Sequence, residues 1–453
     1  MKFNETGSID RYKARLVANG AKQRNGIDYD QTFAPVARGE TIRAFISAAV
    51  NKGHKIHQMD VTTAFLHGNI DKEIYMTLPK GFFPKDTLRT CRLLKSLYGL
   101  KQASRIWFQT LQQQLMDNGF IQSEADPCLF YKDDTYILLY VDDLIISGLD
   151  NSVAKLKVSL AEKFSMKDLG SLSFFFFFHF KPMKGGYLIN QRQYIIELLI
   201  NTGMTNCNTV STPMTKSLSG EDSVLFENIT LYETVLGKLN YISRYSRPDI
   251  GYAVSRLYQS VKAPTTADWQ RVKRVLRYLK STLDHGVLIT ASTDNLITCF
   301  ADADFSGNTE SRSTTGYVLF HNNNPIIWKS AIQHKVAQST MEAEYYSCAE
   351  SAKEVIWLRK LMMEFFPSHA YAATTLYEDN EACISFINGN AKYHSRSKHI
   401  DRRHYFVKSE VDGGVLQLCP ISSADNTADI FTKPLGATLF KKHREGLCAT
   451  NDK

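Results

Sequence analysis

Two adjacent aspartates, Asp142 and Asp143, interrupt an apolar stretch at residues 136–148. Apolar β-forming residues run up to the two acids and resume directly after them. This pattern predicts two strands joined by a two-residue turn, with both carboxylates at its tip. Mg²⁺ prefers oxygen ligands, and two-metal phosphoryl transfer requires carboxylates that bridge ions roughly 3.5–4 Å apart, so a rigid pair of acids suits that chemistry. The alternative is an ordinary hairpin, because Asp also favours turns through its own backbone hydrogen bonds.

The size and charge of the chain set the context for this hairpin. With 453 residues and 43% apolar content, the chain has room for about three domains with packed cores. Its formal net charge of +8 and isoelectric point near 8.9 favour an acidic partner. Nucleic acid is the commonest such partner for a soluble basic protein.

The cysteines predict an intracellular protein. They are scattered, with no Cys-x-x-Cys pair and no histidine at zinc-ligand spacing, so we interpret them as reduced, mostly buried thiols. The longest wholly apolar runs, such as residues 174–178, are far shorter than the ~20 residues that cross a bilayer, and residues 1–4 do not begin a signal peptide. A soluble, non-secreted protein is expected.

Residues 1–25 carry six basic side chains against two acids. Basic and apolar residues alternate at 11–18, and on a strand this pattern places the positive charges on one face, where a triphosphate or a template backbone could bind. A solvated edge strand is the alternative. Further along, Asp60 ends a β-like segment some eighty residues before the hairpin, and it supplies the third acid that a two-metal site requires.

The order of these motifs carries a specific resemblance. The chain resembles the reverse transcriptase and ribonuclease H portion of copia-type LTR retrotransposon Pol polyproteins, truncated at its N-terminus. The matching stretches follow the family's order and cover nearly the whole chain: RYKARLVA at 11–18, DV and AFL within 60–66, LYGLKQA at 97–103, YVDD at 140–143, RPDI at 247–250 and the acid-bearing segments of 302–435.

The resemblance implies a polymerase site. It makes Asp60, Asp142 and Asp143 the ligands of two Mg²⁺ ions, with Mn²⁺ as a substitute. It also implies a set of residues that bind the deoxynucleoside triphosphate and the template, namely Lys13, Arg15, Phe65, Gly99, Lys101 and Tyr140. Phe65 would lie under the incoming sugar and disfavour a 2′-hydroxyl, although by itself it would be interpreted as a core aromatic.

The implied fold class is α+β, with a right-hand polymerase palm and fingers, a helical thumb or connection, and then an α/β ribonuclease H-like domain. We place the fingers and palm at residues 1–220, the thumb or connection at 221–293, the ribonuclease H-like domain at 294–437 and a tail at 438–453. The family also implies action in cytoplasmic virus-like particles, in the nucleus, or in both.

Two segments between the implied active sites stand out. Phe177 lies in a run of five phenylalanines, at a position where similar proteins have Gly in the strand that grips the primer. A bulky residue there would block a close backbone approach, and the run is prone to aggregate if exposed. Residues 231–283 have a helical pattern, in which a basic helix at 269–280, capped by Thr265 with Asp268, lies along the template–primer backbone or presents a solvated face.

Residues 294–437 predict a second catalytic module, because acids end two predicted strands and one more opens a long helix. By resemblance, the catalytic and metal-binding acids of the ribonuclease H-like domain are Asp302, Glu344, Asp379 and Asp429, and they hold two Mg²⁺ ions. Asp401 competes for the fourth place, and we favour Asp429 because a β-like segment at 415–419 precedes it. Each acid by itself would be interpreted as surface solvation or a helix cap.

Residues 392–408 are rich in Lys, Arg and His, which suits the backbone of an RNA–DNA hybrid and, without thiols or carboxylates at ligand spacing, gives poor evidence for zinc. Tyr405 stands where a His is more usual in the family.

The expected partners are an RNA template, a DNA primer, an RNA–DNA hybrid and deoxynucleoside triphosphates, with no membrane. The expected function is RNA-directed DNA polymerisation with ribonuclease H activity; the alternative is a degenerate copy that binds nucleic acid without catalysis.

Overall fold

A computed structural model describes the chain except for residues 1, 4–8, 13, 80–89, 176–177, 216–223, 293, 295, 306–311, 370, 390–400 and 451–453, and it gives the backbone alone at 2–3, 9–11 and 401–405. The chain forms two compact units. The first contains residues 1–38 and 55–171, and the second contains residues 39–54 and 172–453. Within the described residues, every helix is too short or too polar to cross a membrane.

The strands and helices are numbered in chain order. The strands are β1 (Lys2–Phe3), β2 (Ile9–Arg11), β3 (Lys55–Val61), β4 (Tyr75–Thr77), β5 (Thr90–Arg92), β6 (Ile121–Gln122), β7 (Leu129–Lys132), β8 (Thr135–Tyr140), β9 (Asp143–Gly148), β10 (Met166–Ser171), β11 (Phe174–Phe175), β12 (Phe178–Met183), β13 (Gly186–Asn190), β14 (Val287–Thr290), β15 (Ile297–Asp304), β16 (Thr314–His321), β17 (Asn324–Ile332), β18 (Thr374–Glu378) and β19 (Leu416–Pro420). The helices are α1 (Gly39–Asn51), α2 (Ala103–Asp117), α3 (Asp150–Lys163), α4 (Arg192–Asn201), α5 (Ile229–Tyr245), α6 (Gly251–Tyr258), α7 (Thr266–Ser281), α8 (Thr340–Phe365), α9 (Glu381–Ile387), α10 (Asp401–Asp412) and α11 (Ala437–Leu447).

The first unit is built on an antiparallel sheet with the strand order β10-β3-β9-β8-β7-β6. Its central strands are continuous apolar runs, and β8 is buried from Thr135 to Leu139, as expected of strands covered on both faces. Helix α3 buries Val153, Leu156 and Leu160 at helical spacing, and each fully buried Leu or Val of this kind stabilises the fold by about 1.5–3 kcal/mol. The sheet therefore gives the hairpin at β8 and β9 a rigid base.

The second unit contains two sheets. The first, with the order β11-β12-β13-β14, is antiparallel. Its phenylalanines pack inward: Phe178 lies against Tyr245, with ring centroids 5.0 Å apart, and Phe175 and Phe180 are buried. Phe174 is the exposed phenylalanine among the described members of the run. Phe177, the residue predicted to disturb the primer grip, lies outside the described residues.

The second sheet has the order β17-β16-β15-β18-β19. Strand β15 pairs antiparallel with β16 and parallel with β18, and β18 pairs parallel with β19. Parallel strands need crossover connections, which α8 supplies between β17 and β18 and which α9 and α10 supply between β18 and β19. This is the mixed α/β arrangement predicted for residues 294–437, and it brings the ends of β15 and β18 to one edge.

Helix α1 belongs to the second unit although residues of the first unit flank it in sequence. Arg43 donates from Nε to the carbonyl oxygen of Ile326 at 2.7 Å, and the ring of Phe45 packs edge-on against Phe365. Buried residues fill most positions of α1, which predicts a helix covered by other elements. Its sequence does not indicate which sheet covers it.

Helix α7 carries the basic side chains that were predicted either to lie along the template–primer backbone or to present a solvated face. The predicted capping box is confirmed, because Thr265 and Asp268 bond reciprocally at its N-terminus. The basic side chains, however, bind protein groups: Arg277 donates to the carbonyl of Asn208 at 2.6 Å and Lys280 to that of Cys207 at 2.8 Å. The basic side of α7 thus holds the segment 207–212 in place.

The N-terminal prediction is also corrected. Of the described residues within 11–18, Arg11 ends β2 and the others have no regular structure, so these residues do not form the predicted strand. The predicted mixture of helices and sheets is confirmed in both units. The packing units do not end at residues 220, 293 and 437, and those boundaries, with the assignment of palm, fingers and thumb, stay predictions.

Candidate active sites

The predicted hairpin is present, with its turn one residue earlier than the pair of aspartates. Val141 and Asp142 form the turn, and Asp143 begins β9, where it pairs with Tyr140. The two carboxylates therefore have different surroundings. Asp142 lies in the turn, whereas the backbone of Asp143 is fixed in the sheet.

The turn is strained at Val141, whose φ is +57°. A β-branched side chain is rarely found in this left-handed region, and such strain is typical of functional sites held by their surroundings. Trp107, buried on α2, donates from its indole nitrogen to the carbonyl oxygen of Val141 at 2.6 Å. This bond from α2 holds the turn in its strained conformation.

Asp60 and Asp143 face each other across β3 and β9, as a directly opposed antiparallel pair. The backbone of Val61 donates to the carbonyl oxygen of Asp142 at 2.9 Å, which joins all three predicted polymerase acids to one end of the sheet. Like charges placed opposite each other destabilise a sheet unless a cation compensates them. Burial, and then the charges of Asp142 and Asp60, raise the pKa of Asp143 to about 6.

This accumulation of negative charge fits a divalent cation held by oxygen donors. The three carboxylates are nevertheless more widely spaced than those of the second unit. In the described part of the chain, the groups of three donor atoms within 4.8 Å of one another lie in the second unit.

Phe65 is buried in a 3₁₀ turn, Ala64–His67, that follows β3. Its ring lies 4.4 Å from that of Tyr98, and the guanidinium of Arg15 lies 5.0 Å from the centroid of the same Tyr98 ring. Burial, and then the charge of Asp142, raise the pKa of Tyr98. Tyr98 thus contacts the predicted sugar-side residue Phe65 and the predicted phosphate-side residue Arg15, a role that its sequence position did not indicate. Lys13 lies outside the described residues.

Gly99 is required by a close backbone contact. Its φ is +92°, and a Cβ atom there would lie 2.1 Å from the carbonyl oxygen of Ala18. Ala18 in turn donates to the carbonyl of Tyr98 at 2.7 Å, and the backbone of Lys101 donates to Gln23 at 2.7 Å. Gly99 and Lys101 therefore join the N-terminal segment to the region beside the acids.

The predicted nuclease acids converge in the second unit. Asp302 on β15, Asp379 directly after β18 and Asp429 in a 3₁₀ turn have carboxylate oxygens within 4.8 Å of one another. Glu344, on α8, forms a second such group with Glu378 and Asp379. Asp429, favoured from the sequence for the fourth place, lies in the group with Asp302 and Asp379. The side chain of Asp401 lies outside the described residues, so the choice between the two stays a prediction.

Burial dominates the electrostatics of these acids. Burial, and then the charge of Glu378, raise the pKa of Glu344 well above its ordinary value, and burial, then Asp302, raise the pKa of Asp429 to about 7. Oε2 of Glu344 is buried and has no hydrogen-bond partner among the described residues. An orphaned carboxylate oxygen in a dense group of acids fits a hard divalent cation.

Two neighbouring residues contribute without having been assigned a role from the sequence. The ammonium of Lys433 lies 2.7 Å from Oδ1 of Asp429 and 3.8 Å from Oδ2 of Asp302, and the hydroxyl of Thr432 donates to Asp302. Although burial lowers the pKa of Lys433, Asp302 and Asp429 raise it overall, so it is charged. Both residues follow Asp429 in the stretch TADIFTKPL. The position of Lys433, four residues after an acid, is the sequence feature that could have indicated its ion pair with Asp429.

Glu378 is a further residue of this site that was not predicted from the sequence. It lies on the same face of β18 as Thr374 and Leu376 and is fully buried. The period-two alternation of β18 places Glu378 on the core face, and an ionisable residue at a core position is the sequence signal that could have identified it. Its Oε2 accepts from Sγ of Cys348 at 3.1 Å and its Oε1 from the backbone of Asn380 at 3.1 Å.

The basic segment at 392–408 is mostly outside the described side chains. Lys408, which is described, pairs with Asp412 within α10 at 3.1 Å. The expected role of this segment and of Tyr405 stays a prediction.

Comparisons with known proteins bear on both units. Residues 1–216 match the family model described as reverse transcriptase (RNA-dependent DNA polymerase). The Retrovirus-related Pol polyprotein from transposon RE2 of Arabidopsis thaliana is 38% identical over 97% of this chain and 31% of its own length. The polyprotein from transposon TNT 1-94 of Nicotiana tabacum is 35% identical over 96% of this chain and 34% of its own length. The chain spans about a third of the length of these curated relatives.

Among solved structures, LC11-RNase H1 in complex with an RNA/DNA hybrid is 16% identical. It covers 30% of this chain and 93% of its own length, with a TM-score of 0.24.

Proposed function

Because this chain belongs to the Pol polyprotein family of copia-type retrotransposons, we propose that it is an RNA-directed DNA polymerase that also cleaves the RNA strand of RNA–DNA hybrids. Its proposed partners are an RNA template, a DNA primer, their hybrid and deoxynucleoside triphosphates. The net charge of +8 suits the phosphate backbones of these partners. In this proposal, residues 1–220 form the fingers and palm, 221–293 the thumb or connection, and 294–437 the nuclease.

The observation that carries the proposal is the convergence of acids that are distant in sequence. Asp302, Asp379 and Asp429 bring their donor atoms within 4.8 Å, and Asp60 is opposed to Asp143 beside the turn at Asp142. Surface acids repel one another and are seldom gathered in this way. Two such groups on strand ends, one in each unit, suit two separate phosphoryl-transfer sites.

The oxygen donors favour Mg²⁺, with Mn²⁺ as a substitute. Asp60, Asp142 and Asp143 would hold it in the first unit, and Asp302, Glu344, Asp379 and Asp429 in the second. When bound, it would neutralise charge on the reacting phosphate and lower the pKa of the attacking oxygen.

The chain's own residues position the substrates. Arg15, stacked on Tyr98, would bind the triphosphate, with Lys13 as the second candidate in the same segment. Phe65, packed against Tyr98, would lie under the sugar, where its ring leaves no room for a 2′-hydroxyl. Tyr140, paired with Asp143, would adjoin the primer end. Backbone hydrogen bonds, together with the bond from the Trp107 indole, fix these residues in place before a nucleotide binds. Nucleotide binding therefore requires little reorganisation of the protein.

Paired activity measurements on the full chain test the proposal. Asp142→Asn with Asp143→Asn should abolish Mg²⁺-dependent primer extension and leave hybrid cleavage intact, whereas Asp302→Asn should do the reverse. Asp150→Asn, at an exposed acid paired with Lys55, serves as the matched control and should change neither activity. Primer extension that survives the double substitution would contradict the assignment of Asp142 and Asp143 as metal ligands of the polymerase.

A second function, binding of nucleic acid without catalysis, is favoured by one observation. Five phenylalanines stand together at 174–178, and the family resemblance implies a Gly at the position of Phe177 in the primer-gripping strand, so this copy of the polymerase would bind template and primer but extend poorly. Salt-dependent binding with neither extension nor cleavage would establish this alternative. Phe177→Gly should restore extension if the phenylalanine is the cause, and no gain would reject that cause.

A further inference from the structure

A group of two thiols and a carboxylate lies beside the nuclease acids. Cys348 on α8, Glu378 at the end of β18 and Cys383 on α9 have Sγ and carboxylate donor atoms within 4.8 Å of one another. All three side chains are fully buried. Glu378 and Cys383 lie five residues apart, and the tertiary fold brings Cys348 to them from 30 residues before Glu378.

The junction between β18 and α9 fixes the geometry of this group. Glu378 accepts from the backbone of Asn380 at 3.1 Å, and the side chain of Asn380, the N-cap of α9, accepts from the backbone of Cys383 at 3.0 Å. The cap thus ties Glu378 and Cys383 to one rigid turn. Cys348 reaches this turn from α8, with its Sγ 3.1 Å from Oε2 of Glu378.

The donor set differs in kind from that of the nuclease acids. Thiolates are soft ligands that select zinc-like ions, whereas carboxylates select Mg²⁺. Around a tetrahedral zinc ion, with bonds of about 2.0–2.3 Å to oxygen and sulfur, ligand atoms stand roughly 3.3–3.8 Å apart. The donor atoms of Cys348, Glu378 and Cys383 lie within 4.8 Å of one another, so small side-chain shifts would bring them to this spacing, and three protein ligands leave one position for a water or a further carboxylate.

From this arrangement we infer that Cys348, Glu378 and Cys383 form a binding site for a soft divalent cation of the zinc class, separate from the hard-cation site of Asp302 and Asp429. The two sites are connected, because Glu378 also belongs to the group of Glu344 and Asp379. A cation bound by the thiols adds positive charge beside those acids and repels a Mg²⁺ ion that they hold. By linkage, zinc-class and Mg²⁺ binding oppose each other.

Cobalt(II) is the probe, because a thiolate bound to Co²⁺ gives an intense near-ultraviolet charge-transfer band and carboxylates do not. The reduced full chain is loaded with Co²⁺ during expression and, separately, after purification, in the presence of excess Mg²⁺. We expect one equivalent of Co²⁺ with this band, displaced by one equivalent of Zn²⁺. The readout does not depend on either enzymatic activity, so its result is independent of the proposed function.

Three variants assign the ligands. Cys348→Ser with Cys383→Ser should abolish the band, and Glu378→Gln should weaken Co²⁺ binding at least tenfold. Cys448→Ser, at a buried thiol of the same unit outside the group, should leave it unchanged, and circular dichroism checks that each variant folds. A chain that binds Co²⁺ without the band, or that keeps the band in the double variant, would overturn the inference.

Discussion

The indole nitrogen of Trp107 lies 2.6 Å from the carbonyl oxygen of Val141 and donates a hydrogen bond to it. The bond holds the turn of the acid-bearing hairpin in a conformation that its own side chain disfavours, since φ of Val141 is +57°. Trp107→Phe removes the donor and frees the turn. We expect primer extension to fall at least tenfold while hybrid cleavage keeps its rate, measured on the same preparation.

Trp328→Phe is the matched control for this prediction. Trp328 also donates its indole N–H to a carbonyl, that of Ser243, at 2.9 Å, but it lies in the second unit. Both substitutions remove a hydrogen bond worth about 1 kcal/mol along with some buried surface. If Trp328→Phe lowers extension as much as Trp107→Phe does, the effect is one of general stability and not of the turn.

The positively charged ammonium of Lys433 lies among the nuclease acids, 2.7 Å from Oδ1 of Asp429. An ammonium there repels an incoming divalent cation. Lys433→Gln should therefore lower the Mg²⁺ concentration needed for half-maximal hybrid cleavage, by about tenfold, which corresponds to about 1.4 kcal/mol of relieved repulsion. Lys442→Gln, at an exposed lysine paired with Asp425, should leave that concentration unchanged. A higher requirement in Lys433→Gln would show that the lysine assists the site.

Arg247 and Asp249 form an ion pair at 2.8 Å in which both side chains are fully buried. Burial raises the pKa of Asp249, but the adjacent guanidinium outweighs this and lowers it overall. Asp249→Asn leaves a buried, unpaired guanidinium and should cost about 3–5 kcal/mol of unfolding free energy in urea titrations. Arg247→Met combined with Asp249→Leu should cost less than the single change. A cost below about 1 kcal/mol for Asp249→Asn would contradict the argument.

His321 gives the second unit a pH-dependent stability. Burial, and then the charge of His369, lower the pKa of His321 to about 4, against about 6.5 in an unfolded chain. The unfolded state binds the proton first as pH falls, so the stability contributed by neutral His321 is complete above pH 6.5 and is lost towards pH 4. The loss reaches about 2 kcal/mol at pH 5.

His321→Asn should therefore flatten the decline in unfolding free energy between pH 7 and pH 5, measured by urea titration at each pH. Burial also lowers the pKa of His285 and His443 to about 4, so part of the decline should persist in this variant. His179→Asn, at an exposed histidine of the same unit, should keep the full slope. An unchanged slope in His321→Asn would mean that the side chain is hydrated or charged in the folded protein.

The elements that bear the acids were predictable from the sequence because their signals are local. Apolar runs that lead to Asp142 or Asp302 specify strands and place an acid within two residues of the strand end. The position of the turn was not predictable, since positive φ is expected of Gly, Asn or Asp and not of Val141. Trp107 imposes it through a contact that no short-range pattern contains.

Side-chain partners were less predictable than elements. The charges of Arg277 and Lys280 suggested a free basic face, but carbonyl groups of a segment about seventy residues earlier bind them. Lys433 was visible near Asp429 in sequence, yet its contact with Asp302 depends on how a 3₁₀ turn approaches β15. Such contacts follow from tertiary geometry, which composition and periodicity do not contain.

The packing of α1 has a consequence for synthesis of the chain on the ribosome. Arg43 bonds to a carbonyl 283 residues later, and at about 5–20 residues per second the ribosome delivers that partner roughly 15–60 s after the helix. During this interval the apolar face that includes Ile42, Phe45 and Ile46, buried in the finished fold, has no sheet to cover it. The apolar face of α1 therefore stays uncovered for this interval, and we expect slower translation to lower the yield of folded protein by prolonging that exposure.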